Sequence, residues 1–206
     1  FVNDAFGSWQ AHASTVDVSR YLPSYAGFLL QKEIENLDRI YNPQTPFLAV
    51  VAGAKFDTKI EPLYALIQKA DYLVLGGVIY NAYLCAKYNI RIKGIEDDDM
   101  EHAKKFVDFA AQYPGKIIEL PYITESDVPD ARQEGKYRKV DIRTLKPGTS
   151  LNYIYDVASD SFSVEEVIDT FHKAKTVFVN AVMGYTPHFN EGTIALDQLI
   201  DENDSA

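Results

Sequence analysis

From residue 43 onward, short apolar runs alternate with amphipathic stretches. Continuous apolar runs are typical of parallel strands buried on both faces, whereas apolar residues spaced three and four apart indicate helices. Segments that fit the strand pattern are Phe47–Val51, Tyr72–Leu75, Lys116–Leu120, Tyr153–Val157 and Thr176–Val179. Their alternation with helical segments predicts an α/β fold with a doubly wound, mostly parallel sheet and helices on both faces.

Two regions interrupt this rhythm. Residues 1–22 are consistent with a short strand and a polar loop, after which Pro23 and Ser24 open a predicted helix that runs from about Tyr25 to Ile40. The stretch from Tyr122 to Ser150 is polar and mixed in charge, which favours an antiparallel excursion at the edge of the sheet.

The composition narrows the classes of partner. The 206 residues are 47% hydrophobic and 24% charged, as in an ordinary globular protein, and the net charge of −10 argues against a nucleic-acid or anionic membrane surface. No apolar run is long enough to cross a membrane. The single cysteine, Cys85, excludes an internal disulfide and favours a reducing compartment; its apolar helical setting indicates packing rather than nucleophilic chemistry.

Candidate chemistry concentrates in loops that follow the predicted strands, where open α/β sheets bind ligands. The loop Gly53–Lys59 begins with two small residues and carries Lys55 and Lys59 at the start of a predicted helix. Positive charge at a helix N-terminus favours an anion such as phosphate. The spacing is not that of a Walker A loop, so a tight turn with solvated lysines is the alternative.

Other chemistries receive little support from the sequence. The histidines are scattered and form no zinc-binding spacing, so no metal site is predicted. Asp97, Asp98 and Asp99 precede a helical segment, where acidic residues are typical of a solvated helix start.

Several motifs, taken in order along the whole chain, resemble the phosphoglycerate kinase family. The matching segments are Asn3–Gly7, Ala11–Thr15, Leu22–Leu29, Lys32-Glu33, Pro46–Val50, Gly53-Ala54-Lys55, Lys59-Ile60, Gly76-Gly77, Val179–Gly184 and Gly192-Thr193. The resemblance implies the Rossmann-like nucleotide domain of that family, preceded by a remnant of its N-terminal domain. Residues 1–22 would end the substrate domain, residues 23–42 would form the interdomain helix, and residues 43–206 would be a nucleotide-binding domain truncated at its C-terminus.

The resemblance also implies a function: reversible phosphoryl transfer between ATP and the carboxylate of 3-phosphoglycerate, in glycolysis, with Mg²⁺ accompanying ATP or ADP. Lys59 would contact the transferred phosphoryl group and Lys55 the nucleotide phosphates. The remaining implied nucleotide-binding residues are Gly53, Ala54, Gly76, Gly77, Asn180 and Met183. On the substrate side, the resemblance implies Asn3, Asp4 and His12. A cytoplasmic monomer, without nucleic-acid or membrane partners, would be expected.

Departures from the family pattern keep two alternatives open. The arginine that contacts phosphoglycerate has no counterpart, Val78 and Ile154 replace glycines, and the ribose-contacting glutamate falls near Pro187. Added bulk would crowd the base side of a close-packed site. The chain could therefore belong to a divergent active kinase, or to a catalytically dead homologue that serves as a binding or structural subunit. The 206 residues alone are predicted to be inactive.

Overall fold

The computed structural model describes residues 1–8, 10–56 and 59–203. The chain divides into two compact units, Phe1–Pro43 and Gln44–Ala206. Within the described ranges, no helix is both long and apolar enough to cross a membrane.

The first unit pairs two short strands and ends in a helix. Strand β1 (Val2–Asn3) runs parallel to β2 (Tyr25–Ala26), and helix α1 covers Phe28–Asp38. The predicted helix start before Tyr25 is wrong, because the backbone N–H groups of Tyr25 and Gly27 donate to carbonyls of the first strand segment, at Phe1 and Asn3. These bonds hold the chain extended until Gly27, so the helix begins one residue later.

The second unit alternates strands and helices as predicted. Its strands are β3 (Phe47–Gly53), β4 (Tyr72–Gly76), β5 (Arg91–Ile92), β6 (Tyr122–Ser126), β7 (Tyr137–Asp141), β8 (Ser150–Leu151), β9 (Tyr153–Val157) and β10 (Thr176–Asn180). Its helices are α2 (Ile60–Lys69), α3 (Gly77–Tyr88), α4 (Asp97–Ala110), α5 (Glu165–Lys173) and α6 (Glu191–Asp201). The mixed α/β fold with mostly parallel pairing is confirmed.

A three-stranded parallel sheet forms the core, in the order β10-β3-β4. Residues Phe47 to Ala52 of the central strand are almost completely buried, as the continuous apolar run predicts for a strand covered on both faces. Helix α3 packs on β3, β4 and α4, and α2 packs on β4. All three strands end at the same edge of the sheet, which brings together the loops after Gly53 and Asn180 and the start of α3 at Gly77.

The prediction of a full strand over Lys116–Leu120 is wrong. This segment contributes one parallel bridge, between Ile117 and Leu73. The Tyr80 hydroxyl then donates to the Leu120 carbonyl and accepts from the Leu120 N–H, each at 3.0 Å. Both backbone groups of Leu120 are therefore bonded to a side chain instead of a neighbouring strand. Pro121 follows and has no N–H to donate, so the ladder cannot continue.

The prediction that Tyr153–Val157 joins the parallel sheet is also wrong. This strand, β9, pairs antiparallel with β6, which in turn pairs antiparallel with β7 in the order β7-β6-β9. Its exposure alternates over the first four residues, with Ile154 and Asp156 buried, which is typical of a strand covered on one face. The antiparallel character predicted after Tyr122 is confirmed, but it belongs to a sheet of its own.

The Tyr80 hydroxyl offers a test of this architecture. Tyr80→Phe leaves the backbone N–H and carbonyl of Leu120 buried without their partner, so we expect a loss of about 1–3 kcal/mol in the free energy of unfolding. The matched control is Tyr113→Phe, because no hydrogen bond to the Tyr113 hydroxyl occurs within the described residues. Urea unfolding of both variants measures the difference, and equal losses would contradict the assigned role of Tyr80.

Candidate functional site

A cavity of about 500 Å³ opens where the loops after β3 and β10 meet the start of α3. This volume lies in the range of small-molecule sites. One wall comes from the loops after β3 and β10 and from the first residues of α3, and it includes Gly53, Ala54, Gly77, Val78 and Met183. The rest of the lining, called the facing wall, comes from Asn81 of α3, from β9 and from neighbouring loops, and it includes Lys93, Asp130, Tyr153, Ile154, Tyr155 and Tyr185.

Two glycines allow the strand ends to approach each other closely. Gly77 adopts φ +60, and a Cβ there would lie 2.7 Å from the Gly53 carbonyl oxygen. A left-handed backbone and this contact both favour glycine over any residue with a side chain. A Cβ at Gly76 would collide with the Met183 Sδ atom. The sequence prediction thus named residues that the fold brings together: Gly53, Ala54, Gly76, Gly77 and Met183.

Lys59 and Asn180 meet beside this junction. The Lys59 Nζ atom donates to Asn180 Oδ1 at 2.5 Å, which links the loop after β3 to the end of β10 across 121 residues of sequence. A Cβ at Gly53 would lie 3.7 Å from Lys59 Cε, so the lysine stem runs past the small residues of the cavity wall. A cation and an amide are therefore held next to the cavity, where they can bind an anionic group.

The loop that carries Lys55 is anchored by a residue that sequence reasoning interpreted as a solvated helix start. Asp99, in the first turn of α4, accepts a hydrogen bond from the Phe56 backbone N–H at 2.8 Å. Phe56 is fully buried and packs edge-on against Phe106 of the same helix. Lys55 itself is exposed. Asp57 and Thr58, which belong to the same predicted loop, lie outside the described residues.

The facing wall is aromatic, which the sequence analysis missed. The rings of Tyr153 and Tyr155 are stacked with centroids 5.7 Å apart, and Tyr185 lies 5.2 Å from Tyr155. The tyrosines at alternate positions of β9 were a usable signal, because such positions share one face of a strand. Val78 and Ile154 also line the cavity, and the space beside them stays open. Val78 and Ile154 therefore leave the cavity open.

Asp156 is a buried carboxylate that joins β9 to the start of α6. Its Oδ2 atom accepts from the Gly192 backbone N–H at 3.0 Å, while Oδ1 makes no hydrogen bond within the described part of the chain. Burial raises the pKa of Asp156 to about 6, and the Gly192 N–H opposes this rise. A Cβ at Gly184 would lie 2.5 Å from the Asp156 carboxyl carbon, so the loop that follows Met183 passes directly against this side chain.

The predicted substrate-side residues lie in the first unit. The Asn3 carbonyl accepts from the Gly27 N–H at 2.7 Å, and Asp4 Oδ1 accepts from the Leu30 N–H at 2.9 Å. Asp4 therefore satisfies a free donor in the first turn of α1, a role usually filled by a capping residue. The exposed His12 donates its backbone N–H to Thr15 Oγ1 at 3.0 Å.

Across residues 1–8, 10–56 and 59–203, no group of three histidine, cysteine or acidic side chains could hold a metal ion. Cys85 is buried in α3, and burial raises its pKa to about 11, which is consistent with packing rather than reactivity.

An open cavity at the carboxyl ends of parallel strands, with a lysine beside it, is the arrangement in which open α/β proteins bind ligands. Comparison with known proteins specifies the family. The family model for phosphoglycerate kinase matches residues 1–206. The chain belongs to the phosphoglycerate kinase family.

Individual relatives agree with this assignment. The chain is 36% identical to the phosphoglycerate kinase of Desulforudis audaxviator, over 97% of the chain and 50% of that protein. It is 35% identical to the chloroplastic phosphoglycerate kinase of Chlamydomonas reinhardtii, over 95% of the chain and 42% of that protein. The chain thus spans about half the length of the curated relatives it matches.

Solved structures give the same picture. The phosphoglycerate kinase of Coxiella burnetii superimposes with a TM-score of 0.82 at 31% identity, covering 100% of this chain and 53% of its own. The enzyme from Pyrococcus horikoshii gives a TM-score of 0.83 at 23% identity, covering 99% of this chain and 51% of its own, and it supports the fold alone.

The raised pKa of Asp156 makes a prediction about pH. Its ordinary value is 3.8 and its folded value is about 6, so between these limits the native state holds a proton that the unfolded chain has released. The stability of the wild type should therefore fall, relative to Asp156→Asn, by about 2–3 kcal/mol as pH rises from 4 to 7. Urea unfolding of both proteins across that range measures it. A flat or opposite difference would exclude a raised Asp156 pKa.

Proposed function

We propose that this chain supplies the nucleotide-binding half of a phosphoglycerate kinase, which transfers a phosphoryl group reversibly between ATP and the carboxylate of 3-phosphoglycerate. The observation that carries the proposal is the Lys59–Asn180 pair beside the cavity formed by the strand ends. Family membership adds the substrates, since members named phosphoglycerate kinase match almost the whole chain. The cytoplasmic location and the monomeric state stay predictions.

The chemistry asks for no protein nucleophile, because the substrate carboxylate attacks the phosphoryl group. The protein has to position two anions and stabilise the charge of the transferring group. Lys59 is the catalytic candidate, and its Nζ would exchange the Asn180 oxygen for phosphoryl oxygens. Lys55, on the exposed part of the same loop, would attract the nucleotide phosphates. The glycines at the junction let the phosphates approach backbone N–H groups.

The nucleoside would occupy the aromatic side of the cavity. Tyr155 and Tyr185 offer ring faces for stacking, and Ile154 and Val78 offer apolar contact. Mg²⁺ would arrive with the nucleotide and neutralise phosphate charge when bound. The hydrogen bonds by which this chain orients its own residues, Lys59 to Asn180 and Phe56 to Asp99, exist without it.

A catalytically dead homologue with a binding or structural role is the second candidate. Val78 and Ile154, which stand where the resemblance implies glycines, favour it because both residues line the cavity. The open volume beside them favours a nucleotide ligand instead. Nucleotide titration separates the two functions, since a structural subunit has no need to bind nucleotide.

We expect phosphate contacts to carry the binding of nucleotides. Lys59→Ala should weaken both MgADP and MgGDP by about 1.5–3 kcal/mol, the scale of a hydrogen bond to a charged group. Val78→Gly should strengthen ADP binding more than GDP binding, because it removes bulk on the base side. Calorimetric titration of the wild type and both variants measures these changes.

The control is Lys104→Ala, which removes an exposed lysine of α4 that does not line the cavity. Its affinity for both nucleotides should equal that of the wild type. A strong ADP preference that survives Lys59→Ala would show that base contacts dominate. Absence of nucleotide binding to the folded wild type would favour the structural role.

The 206-residue polypeptide, assayed alone, should show no turnover. It spans about half the length of its relatives, and phosphoryl transfer needs both anions clamped at once. A coupled assay that follows ATP formation from ADP and 1,3-bisphosphoglycerate tests this expectation. Turnover that is abolished by Lys59→Ala would overturn it.

A further inference from the structure

The loop between β6 and β7 reaches the aromatic wall of the cavity and places Asp130 on its lining. Asp130 adopts φ +51, a left-handed backbone that is uncommon for a residue with a side chain, although aspartate tolerates it better than most. Across the part of the chain that the structure describes, no hydrogen bond or ion pair reaches its carboxylate. Asp130 is thus an exposed residue at the cavity lining whose carboxylate has no hydrogen-bond or ion-pair partner among the described residues.

Two residues of this loop, Asp130 and Arg132, hold it in place. The Tyr155 hydroxyl accepts a hydrogen bond from the Asp130 backbone N–H at 2.8 Å. Arg132 forms an ion pair with Glu191 at 2.5 Å and donates to the His188 carbonyl at 3.0 Å. Arg132 also lies over the rings of Tyr137 and Phe189, 4.6 Å and 5.1 Å from their centroids. The position of Asp130 is therefore set by its surroundings.

The charges of the cavity decide what Asp130 can accept. An ionised carboxylate only accepts hydrogen bonds and repels phosphate. The phosphate end of a nucleotide would bind at Lys59, beside the strand ends. Asp130 lies beside Tyr155 on the other wall, where Lys93 is held 4.9 Å from the centroid of the Tyr153 ring. The groups that remain for it are the hydroxyl donors of the sugar and the amine of the base. Its exposure at the cavity rim favours the sugar, because the apolar interior suits the base.

We propose that Asp130 is a ligand-binding residue that accepts hydrogen bonds from the ribose hydroxyls of a bound nucleoside diphosphate, with Tyr155 as its positioning residue. The inference rests on the proposed function, since it concerns the same nucleotide. It adds an acceptor for the sugar that lies far along the chain from Lys59 and Asn180.

The test compares ADP with 2′-deoxy-ADP and 3′-deoxy-ADP by calorimetric titration. In the wild type, at least one deoxy analogue should bind about tenfold more weakly than ADP, the scale of one hydrogen bond to a charged group. Asp130→Gly removes the carboxylate and tolerates the left-handed backbone. In this variant the deoxy penalty should shrink to less than about twofold. Tyr155→Phe should give an intermediate penalty, because Asp130 loses the acceptor for its N–H.

The matched control is Glu134→Gly, which removes one exposed acid from the same loop but away from the cavity lining. It should retain the full deoxy penalty, which separates hydrogen bonding from general charge. A wild-type penalty that persists in Asp130→Gly, or no wild-type penalty at all, overturns the inference while ADP binding itself still supports the proposed function. The diphosphate of purine riboside, which lacks the base amine, tests the other possible donor. If Asp130→Gly abolishes only the affinity difference between this analogue and ADP, the base amine is the partner and the inference is wrong. Absence of ADP binding to the wild type overturns both.

Discussion

The close approach of Gly77 to Gly53 is the constraint on which the rest of the site depends. Parallel strands β3 and β4 remain bridged up to these two residues, and a side chain at Gly77 would meet the Gly53 carbonyl oxygen at 2.7 Å. Because no side chain intervenes, the strand ends converge on a small area. Lys59 passes over Gly53, Asn180 arrives from β10 and Met183 covers Gly76. A bulkier residue at Gly77 would push away the backbone of Gly53, and with it the loop that carries Lys59.

Around this junction the site has two chemically distinct sides. The strand ends contribute Lys59 and Asn180, whereas β9 and the loops near it contribute tyrosines, Ile154, Asp130 and Lys93. The buried Asp156 connects the two sides. Its carboxylate accepts a hydrogen bond from the Gly192 N–H at the start of α6 and lies against the loop that follows Met183. Burial of that carboxylate costs stability at neutral pH, and its hydrogen bond to Gly192 offsets only part of the cost.

The sequence predicted the parallel core and the residues of the strand-end junction, because a fully buried strand and glycine-rich loops leave strong local signals. Phe47 to Val51 and Thr176 to Val179 pair as expected. The sequence did not predict that β9 pairs antiparallel, because Tyr-Ile-Tyr resembles the continuous apolar run of a parallel strand. In the structure the burial of these residues alternates. Asp99 accepts a hydrogen bond from the Phe56 N–H, and the Asp130 N–H donates to the Tyr155 hydroxyl. In both cases the partner is distant along the chain. No local pattern reports such contacts.

The central claim is that the phosphate side of this cavity supplies most of the affinity for nucleotide. Titration of MgADP and of adenosine into the same protein, at low and at high salt, tests it most directly. We expect adenosine to bind at least about tenfold more weakly than MgADP, and only MgADP to weaken as salt screens the lysines. Equal affinities for adenosine and MgADP, with no effect of salt on either, would contradict the account.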